Sequence, residues 1–249
     1  MNRVLRQLLL AIGLGVACAS VAQAQTVWTL TGDFSTTSNP TGVWSYGSAT
    51  TAGGAFTVYP SFTSSNGIST WTTPSSYPSI NFNPASSSLQ VGTVLWPANS
   101  MIQHPGPNGE LAVARWTAPF AGNFSLSATF ASGDVFGATT NVFVLRNGVA
   151  LGSGNVDASN SYTFSVGSLA LGSGDFIDFL VGFGTNGSYG FDSTVTSATI
   201  SALAVPEPST WVLIGCGLFA VALSRSRLRC ARLWCRPSGR AGTAGRRGR

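Results

Sequence analysis

The sequence predicts an all-β protein with one β-sandwich, flanked by an N-terminal signal peptide and one C-terminal transmembrane helix. Three observations lead to this fold class. Gly, Ser, Thr and Asn separate short apolar runs between residues 25 and 204. No stretch of that region keeps the 3.6-residue apolar period of an amphipathic helix. At both ends of the chain, an apolar run lies next to arginine residues.

The first 24 residues have the layout of a secretory signal peptide. Arg3 and Arg6 form a positive segment, Leu8–Ala19 is apolar, and Ala22-Gln23-Ala24 matches the small-residue cleavage pattern. Cleavage after Ala24 would leave residue 25 as the first of the mature chain. We therefore expect an exported protein.

The charge of the mature region differs in sign from that of the whole chain. The chain has 13 basic and 8 acidic side chains, a formal net charge of +5. Within residues 25–204, only Arg115 and Arg146 are basic, against seven acidic residues, so two minus seven gives a net charge of −5. Nucleic-acid binding needs cations clustered on the folded surface, so this function is disfavoured.

All four cysteines lie outside residues 25–204. Cys216 falls in the C-terminal apolar run, and Cys230 and Cys235 follow it. We therefore expect the fold to depend on its core and not on disulfides. Cys18 lies in the signal peptide, and a lipoprotein is disfavoured because Gly15 stands where such a protein needs leucine.

Several segments of the mature region have the pattern of strands. Asn123–Phe130 alternates between apolar residues and mostly serine or threonine. Asn141–Leu145 and Val149–Leu151 flank the Asn147-Gly148 pair, which suits the positive φ angles of a type I′ hairpin turn. Further strands are predicted at spacings typical of a sandwich: Tyr162–Val166, Phe176–Val181 and Val195–Ile200.

The segment Thr26–Pro107 is rich in Ser, Thr and Pro but also in aromatic residues. Disordered segments are poor in aromatic residues, so this one is expected to contribute edge strands and long loops to the same sandwich. We predict no domain boundary within it.

The C-terminal region contains a proline motif, an apolar run and an arginine cluster, in that order. Val205-Pro206-Glu207-Pro208 has two residues without a backbone donor and is expected to be an exposed, non-helical strip. Trp211–Leu223 has no charge and would form a helix about 20 Å long. That is short for a membrane span of about 30 Å, but Arg225, Arg227 and Arg229 can snorkel and would hold that end in the cytoplasm. The alternative, a buried core helix, would not need these arginines.

This order resembles the PEP-CTERM protein-sorting signal of Gram-negative bacteria, here over residues 205–229. The resemblance implies export, anchoring in the inner membrane, and processing by the membrane protease-transpeptidase exosortase. It also implies a final location at the cell surface or outside the cell, in bacteria that commonly make exopolysaccharide. The family typically stops soon after its basic cluster, whereas this chain continues as a basic tail over residues 230–249. The tail is either a disordered cytoplasmic extension or a frame-reading artefact.

The mature region also resembles a jelly-roll ectodomain that recurs among PEP-CTERM proteins. The likeness is carried by Asp33-Phe34-Ser35, Asn39–Gly47, His104-Pro105-Gly106, Arg115–Gly122 and Gly174-Asp175. Such domains are similar in outline to carbohydrate-binding modules and galactose-binding-like sandwiches. The resemblance implies a jelly-roll-like β-sandwich over residues 25–204, and it implies no particular activity.

The residue types that most enzymes need are scarce. His104 is the single histidine, and no Gly-x-Ser-x-Gly elbow accompanies it. The absence of lysine from the sequence excludes a P-loop and Schiff-base chemistry. We predict no catalytic residue. The alternative is a glycoside hydrolase that pairs carboxylates among Asp175, Asp178 and Asp192.

Two kinds of binding site are predicted. Calcium prefers oxygen ligands, and Asp33 near the first strand and Asp192 near the last are the candidate ligands of a structural calcium. The alternative, which is favoured, is that both residues only cap turns; no other cofactor is predicted. Sugar rings stack on exposed aromatic side chains. The candidates in polar, loop-like surroundings are Trp44, Tyr46, Trp71 and Tyr77.

The mature region is thus expected to be a non-enzymatic module associated with a glycan or exopolysaccharide. The alternative from a different class is an inert structural surface component. Exposed aromatic rings would favour the first function, and uniform burial of the rings would favour the second.

Overall fold

The computed structural model describes residues 25–203, and these residues contain sixteen strands. The predicted signal peptide, proline motif, apolar run and arginine cluster lie outside the described residues. Within them there is no helix, so the prediction of an all-β domain is confirmed. Correspondingly, residues 25–203 contain no helix long and apolar enough to cross a membrane.

Two antiparallel sheets form the sandwich. Sheet 1 contains, in spatial order, β14 (Tyr162–Leu171), β11 (Gly122–Ser132), β16 (Thr194–Ala202), β9 (Ser100–His104), β6 (Ser79–Asn83), β5 (Ile68–Thr72) and β4 (Ser61–Ser65), and β1 (Val27–Thr29) also pairs with β16. Sheet 2 contains β13 (Val149–Val156), β12 (Thr140–Arg146), β15 (Phe176–Gly182), β10 (Leu111–Thr117), β2 (Trp44–Ala49) and β3 (Thr57–Val58). A separate hairpin pairs β7 (Leu89–Val91) with β8 (Val94–Trp96).

The main core lies between the two sheets. The alternation predicted for β11 is confirmed, because Phe124, Leu126, Ala128 and Phe130 are all buried. Trp116, on β10, is also buried in this core. Burial of each such large apolar side chain contributes roughly 2–3 kcal/mol.

The interior strands of sheet 2 are buried on both faces. A second apolar cluster on the outer face includes Leu111, Val113, Leu145 and Leu180. This explains why β10 begins with a continuous apolar run in place of the alternation that a half-exposed strand would have.

The predicted hairpin is confirmed. β12 and β13 pair in antiparallel fashion, and Asn147 and Gly148 between them have φ angles of 49° and 79°. Two successive positive φ angles are the signature of a type I′ turn, which Asn-Gly favours.

The segment Thr26–Pro107 contributes more than edge strands, and that part of the prediction is wrong. β2 lies between β10 and β3, and β9 lies between β16 and β6. The reason is that aromatic residues at alternate strand positions, such as Trp44 and Tyr46, fill the core between the sheets.

Because all the described pairings are antiparallel, the loops fall into two groups at opposite ends of the sandwich. We call the end where β1 begins and β16 ends the proximal end; it includes the turns 118–121, 147–148 and 172–175. We call the other the distal end; it includes loops 73–78, 105–110, 133–139, 157–161 and 183–193. The nine residues of β16 separate the two ends by about 30 Å.

Candidate functional site

Three of the four aromatic residues predicted to contact a glycan are buried, so that part of the prediction is wrong. Trp44 is 1%, Tyr46 0% and Trp71 7% exposed. The indole Nε1 of Trp44 donates to Asp33 Oδ2 at 3.2 Å, and that of Trp71 donates to the Ser35 carbonyl at 2.8 Å. Burial, assisted by the nearby Asp33 charge, raises the pKa of the Tyr46 hydroxyl far above its usual value. These rings lie on strands and not in loops, and their positions in β2 and β5 face the core.

The fourth residue, Tyr77, is exposed and lies in the distal loop 73–78. Its ring centroid is 4.5 Å from that of His104 and 5.6 Å from that of Tyr189. The His104 Nδ1 lies 2.9 Å from the Pro105 carbonyl. Burial lowers the pKa of His104, although the Pro105 carbonyl and the charge of Asp134 act in the opposite direction. At neutral pH the His104 imidazole is therefore uncharged.

A second aromatic group lies at the same end of the sandwich. The rings of Phe136 and Phe191 meet edge to face, with centroids 5.0 Å apart. Phe136 belongs to loop 133–139, and Phe191 belongs to loop 183–193, which also carries Tyr189. The distal end therefore presents two sets of aromatic rings.

The structure does not join the two aspartates of the predicted calcium site through a common partner. Asp33 Oδ2 accepts hydrogen bonds from the Thr29 N–H and the Trp44 indole. Asp192 Oδ1 accepts from the Thr139 N–H at 2.8 Å and from its hydroxyl at 3.1 Å. Residues 25–203 contain no group of three His, Cys, Asp or Glu side chains placed to hold a metal ion. Calcium binding at Asp33 and Asp192 stays a prediction.

The three carboxylates of the hydrolase alternative are engaged separately. Asp178, on β15, forms a bidentate pair with Arg115, with N–O distances of 2.7 and 2.9 Å. Asp175 lies at the proximal end and accepts from Arg146 Nη2 at 3.0 Å. Asp192 lies at the distal end, so the sandwich places Asp175 and Asp192 at opposite ends and does not pair them across a groove.

The Arg115–Asp178 pair is also stacked between aromatic rings. The Arg115 guanidinium carbon lies 4.3 Å from the Phe56 ring centroid and 3.8 Å from that of Phe176. Burial raises the pKa of Asp178, and the hydrogen bonds and charge of Arg115 oppose this rise. The arrangement stabilises the outer side of sheet 2, and both oxygens of Asp178 accept a hydrogen bond within it.

A shallow cavity lies against the outer face of sheet 2. It has a volume of about 240 Å³, and its walls include Leu111, Asn141, Phe143 and Phe183. This is below the roughly 300–1,000 Å³ of most small-molecule pockets. The aromatic rings of the distal end are therefore the better candidate contact surface.

Sequence analysis missed Tyr189, Phe136 and Phe191. A local signal was nevertheless present for the two phenylalanines. Each stands next to a glycine and within two residues of an aspartate, in Asp134-Val-Phe-Gly and in Gly190-Phe-Asp. Glycine and aspartate mark loops, so a large apolar residue between them is expected to be exposed.

The C-terminal motif has a counterpart among known families. A family model described as the PEP-CTERM protein-sorting motif matches residues 204–227. The protein carries a PEP-CTERM sorting motif. The match includes Val205-Pro206-Glu207-Pro208 and reaches Arg227, so the predicted motif is confirmed. A PEP-CTERM motif marks a protein for export and for membrane anchoring before it is processed.

Solved structures of several kinds are similar to parts of this protein. A family 35 carbohydrate binding module from Clostridium thermocellum is 16% identical over 45% of this chain and 85% of its own, with a TM-score of 0.29. The CBM36-1 domain of a multidomain xylanase from the hindgut metagenome of Trinervitermes trinervoides is 14% identical over 51% and 97%, with a TM-score of 0.31. Pika GITRL is 16% identical over 38% and 75%, with a TM-score of 0.27. None of the curated proteins matches the chain in sequence. TM-scores this low carry no argument about a ligand.

Proposed function

We propose that this protein is an exported surface protein, processed by exosortase through its PEP-CTERM motif, whose sandwich associates with a glycan and performs no catalysis. The family match at residues 204–227 carries the sorting part of the proposal. The proposed partners are exosortase, the inner membrane before processing, and exopolysaccharide afterwards, at the cell surface or outside the cell.

The position of the motif supports processing by a membrane enzyme. β16 ends at Ala202, and the matched segment begins at residue 204, so the folded domain is followed almost directly by the motif. Pro206 and Pro208 have no backbone N–H, and proline disfavours helix, which suits a recognition sequence for a protease.

Replacement of both prolines tests the sorting proposal. In an exosortase-positive strain, the double substitution Pro206→Ala and Pro208→Ala should leave a full-length form in the inner membrane. The matched control is Ser209→Ala with Thr210→Ala, which changes the adjoining residues and should mature normally. Immunoblots of membrane and culture fractions measure the outcome. Normal maturation of the proline variant would contradict the proposal.

Glycan association is supported by the one predicted ring that is exposed. Tyr77 is 39% exposed and packs against His104 and Tyr189, which gives a small aromatic surface at the distal end. An aromatic face suits the apolar C–H face of a sugar ring. Arg115 and Arg146, the basic residues of the described region, are both ion-paired, so a polyanionic partner is disfavoured.

A second candidate function is an inert structural surface component. The burial of Trp44, Tyr46 and Trp71 favours it, because a dedicated sugar-binding domain would be expected to expose more of its tryptophans. The absence of catalysis is common to both candidates, and the separate engagement of Asp175, Asp178 and Asp192 supports it.

A binding experiment separates the two functions. The protein isolated from the producing strain is applied to that strain's immobilised exopolysaccharide, with calcium and with a chelator. We expect saturable binding that Tyr77→Ala weakens and that an exposed-residue control, Val149→Ala, leaves unchanged. Loss of binding in the presence of the chelator would support a bound calcium ion that glycan binding requires. No binding in either condition would contradict glycan association and favour the inert structural surface component.

A further inference from the structure

The most exposed aromatic pair of the described residues lies at the distal end. Phe136 is 69% and Phe191 50% exposed, and the neighbouring Val135 is 54% exposed. A pair at this exposure keeps much of its apolar surface in water, which costs free energy. A contiguous exposed pair, unlike a single exposed residue, is a candidate contact site.

The backbone of Phe191 is strained, and its ring is half exposed. Its φ angle is +66°, in the left-handed region that a bulky side chain rarely adopts. Glycine or asparagine would occupy this position without that strain. Backbone strain of this kind persists where the surrounding structure enforces it, and it is concentrated at functional sites.

Two buried aspartates hold the pair in place. Asp134 is 8% exposed, and its Oδ1 accepts a hydrogen bond from the Phe136 N–H at 3.0 Å. Asp192 is fully buried, and its Oδ1 ties the Phe191 loop to the N–H and hydroxyl of Thr139. The two loops are therefore linked, and the rings are presented on a preorganised support.

The surroundings of the pair are polar, and the two arginines of residues 25–203 are ion-paired on sheet 2. Asn186 donates to the Thr139 hydroxyl at 2.6 Å, beside Asp192. On the other side, Ala158 packs closely against Gly137, which brings the exposed loop 157–161 to the pair. The amides and hydroxyls of this rim can bond sugar hydroxyls, and the two ion-paired arginines of the described residues offer no unpaired cation to an anionic ligand.

The two rings alone present too little area for a stable protein interface. A phenylalanine ring has roughly 150–250 Å² of surface, so the two exposed rings present about 200–300 Å². A stable protein partner needs about 800 Å² on each side. A single sugar unit or a short stretch of polysaccharide fits this surface better.

We propose that Phe136 and Phe191 form a second glycan platform, which stacks on the apolar face of an uncharged sugar unit while the rim of loops 157–161 and 183–193 bonds its hydroxyls. The proposal rests on the glycan association proposed above. Tyr189 and Phe191 are two residues apart on the same loop, within about 7 Å along the chain, so the two aromatic surfaces can contact successive units of one polysaccharide.

Affinity electrophoresis of the isolated protein tests this platform. The gels contain, in turn, the producing strain's exopolysaccharide, a neutral β-glucan, a neutral xylan, or alginate as a polyanion. The variants are Phe136→Ala, Phe191→Asn and their combination. The matched control is Phe120→Ala, since Phe120 is a phenylalanine of similar exposure, 45%, at the proximal end.

We expect the double variant to weaken binding to the exopolysaccharide or to a neutral glycan about tenfold or more, the effect of losing roughly 1.4 kcal/mol. Phe120→Ala should bind as the unchanged protein does. Thermal melting should show the double variant folded, with a Tm no lower than that of the unchanged protein, because asparagine tolerates the positive φ angle at position 191.

Each other outcome overturns the proposal. Unchanged binding by the double variant would refute the platform and leave the glycan function with Tyr77. Preference for alginate would refute the uncharged ligand class. Failure of the unchanged protein to bind any of the four glycans would overturn the glycan function and this platform together.

Discussion

The two ends of the sandwich use similar residue types in opposite ways. At the proximal end, Asp175 accepts hydrogen bonds from Gly172, Asn147 and Arg146, so one carboxylate ties two turns together. At the distal end, Asp192 also links two loops and Asp134 bonds within its own loop, but these loops present aromatic rings to solvent. Hydrogen bonds to aspartate therefore hold the turns of the proximal end together, whereas at the distal end they support loops that carry exposed aromatic rings.

Aromatic packing shows the same contrast. At the proximal end, the ring centroid of Trp28 lies 5.4 Å from that of Trp116 and 6.1 Å from that of Phe120. Even the half-exposed Phe120 therefore packs against rings that contact the core. Phe136 and Phe191 contact each other and are mostly exposed. An aromatic residue in this fold therefore contributes to stability only where its backbone directs the ring inward.

The largest expected effect comes from removing a ring of the core. Trp44→Ala should lower the free energy of unfolding by about 3–5 kcal/mol, because it leaves a cavity between the sheets. Phe136→Ala, the control, should change it by less than about 0.5 kcal/mol. Denaturant unfolding measures both. A Trp44→Ala protein that kept its stability but lost glycan binding would contradict the assignment of Trp44 to the core and of the glycan contact to the distal end.

The next effect concerns the ion pair on the outer side of sheet 2. Arg115→Met keeps the length of the side chain but leaves Asp178 buried without its cation, which should cost about 2–4 kcal/mol at pH 7. Burial already raises the pKa of Asp178, and loss of Arg115, whose hydrogen bonds and charge oppose that rise, should raise this pKa further. The loss of stability caused by Arg115→Met should therefore shrink as the pH falls toward about 4, near the pKa of an aspartate in the unfolded chain. A deficit independent of pH would argue that packing on Phe56 and Phe176 matters more than charge.

At the distal end, relief of strain should raise stability. Phe191→Asn removes a bulky side chain from a positive φ angle and should stabilise the protein by about 0.5–1 kcal/mol. Phe136→Asn has no such strain to relieve and serves as the control. Thermal unfolding of the two variants decides the point, and an equal Tm for both would show that Phe191 carries no strain.

The smallest expected effect is a pH dependence at the Tyr77–His104–Tyr189 cluster. Because burial lowers the pKa of His104 below 6.5, the unfolded state binds the proton more readily, and stability is lost as the pH falls below 6.5. His104→Gln should lose less stability than the unchanged protein between about pH 7.5 and pH 5. Tm measured across this range checks the difference, and parallel curves would contradict it.

Much of the fold was predictable from local patterns. The alternation of Asn123–Phe130 and the Asn147-Gly148 turn depend on neighbouring residues only, and the structure confirms both. The aromatic contacts were less predictable. Trp44 and Trp71 have Ser and Thr neighbours, which suggested loops, yet in strands those neighbours occupy the opposite face.

The candidate site depends on long-range geometry. Tyr77 meets His104 and Tyr189 only because β6, β9 and β16 are neighbours in sheet 1, which brings their adjoining loops together. Phe136 meets Phe191 only because β11 pairs with β16. No spacing along the chain encodes these contacts, so glycine and aspartate could mark the loops without revealing a shared surface.

The all-β class, the hairpin turn and the PEP-CTERM motif could be read from the amino-acid sequence, because each depends on a short stretch of residues whose chemistry acts locally. Which aromatic rings are buried and which are exposed became known only from the folded domain. A ring on a strand faces either the core or solvent according to which distant strands pair with it and what covers the outer face.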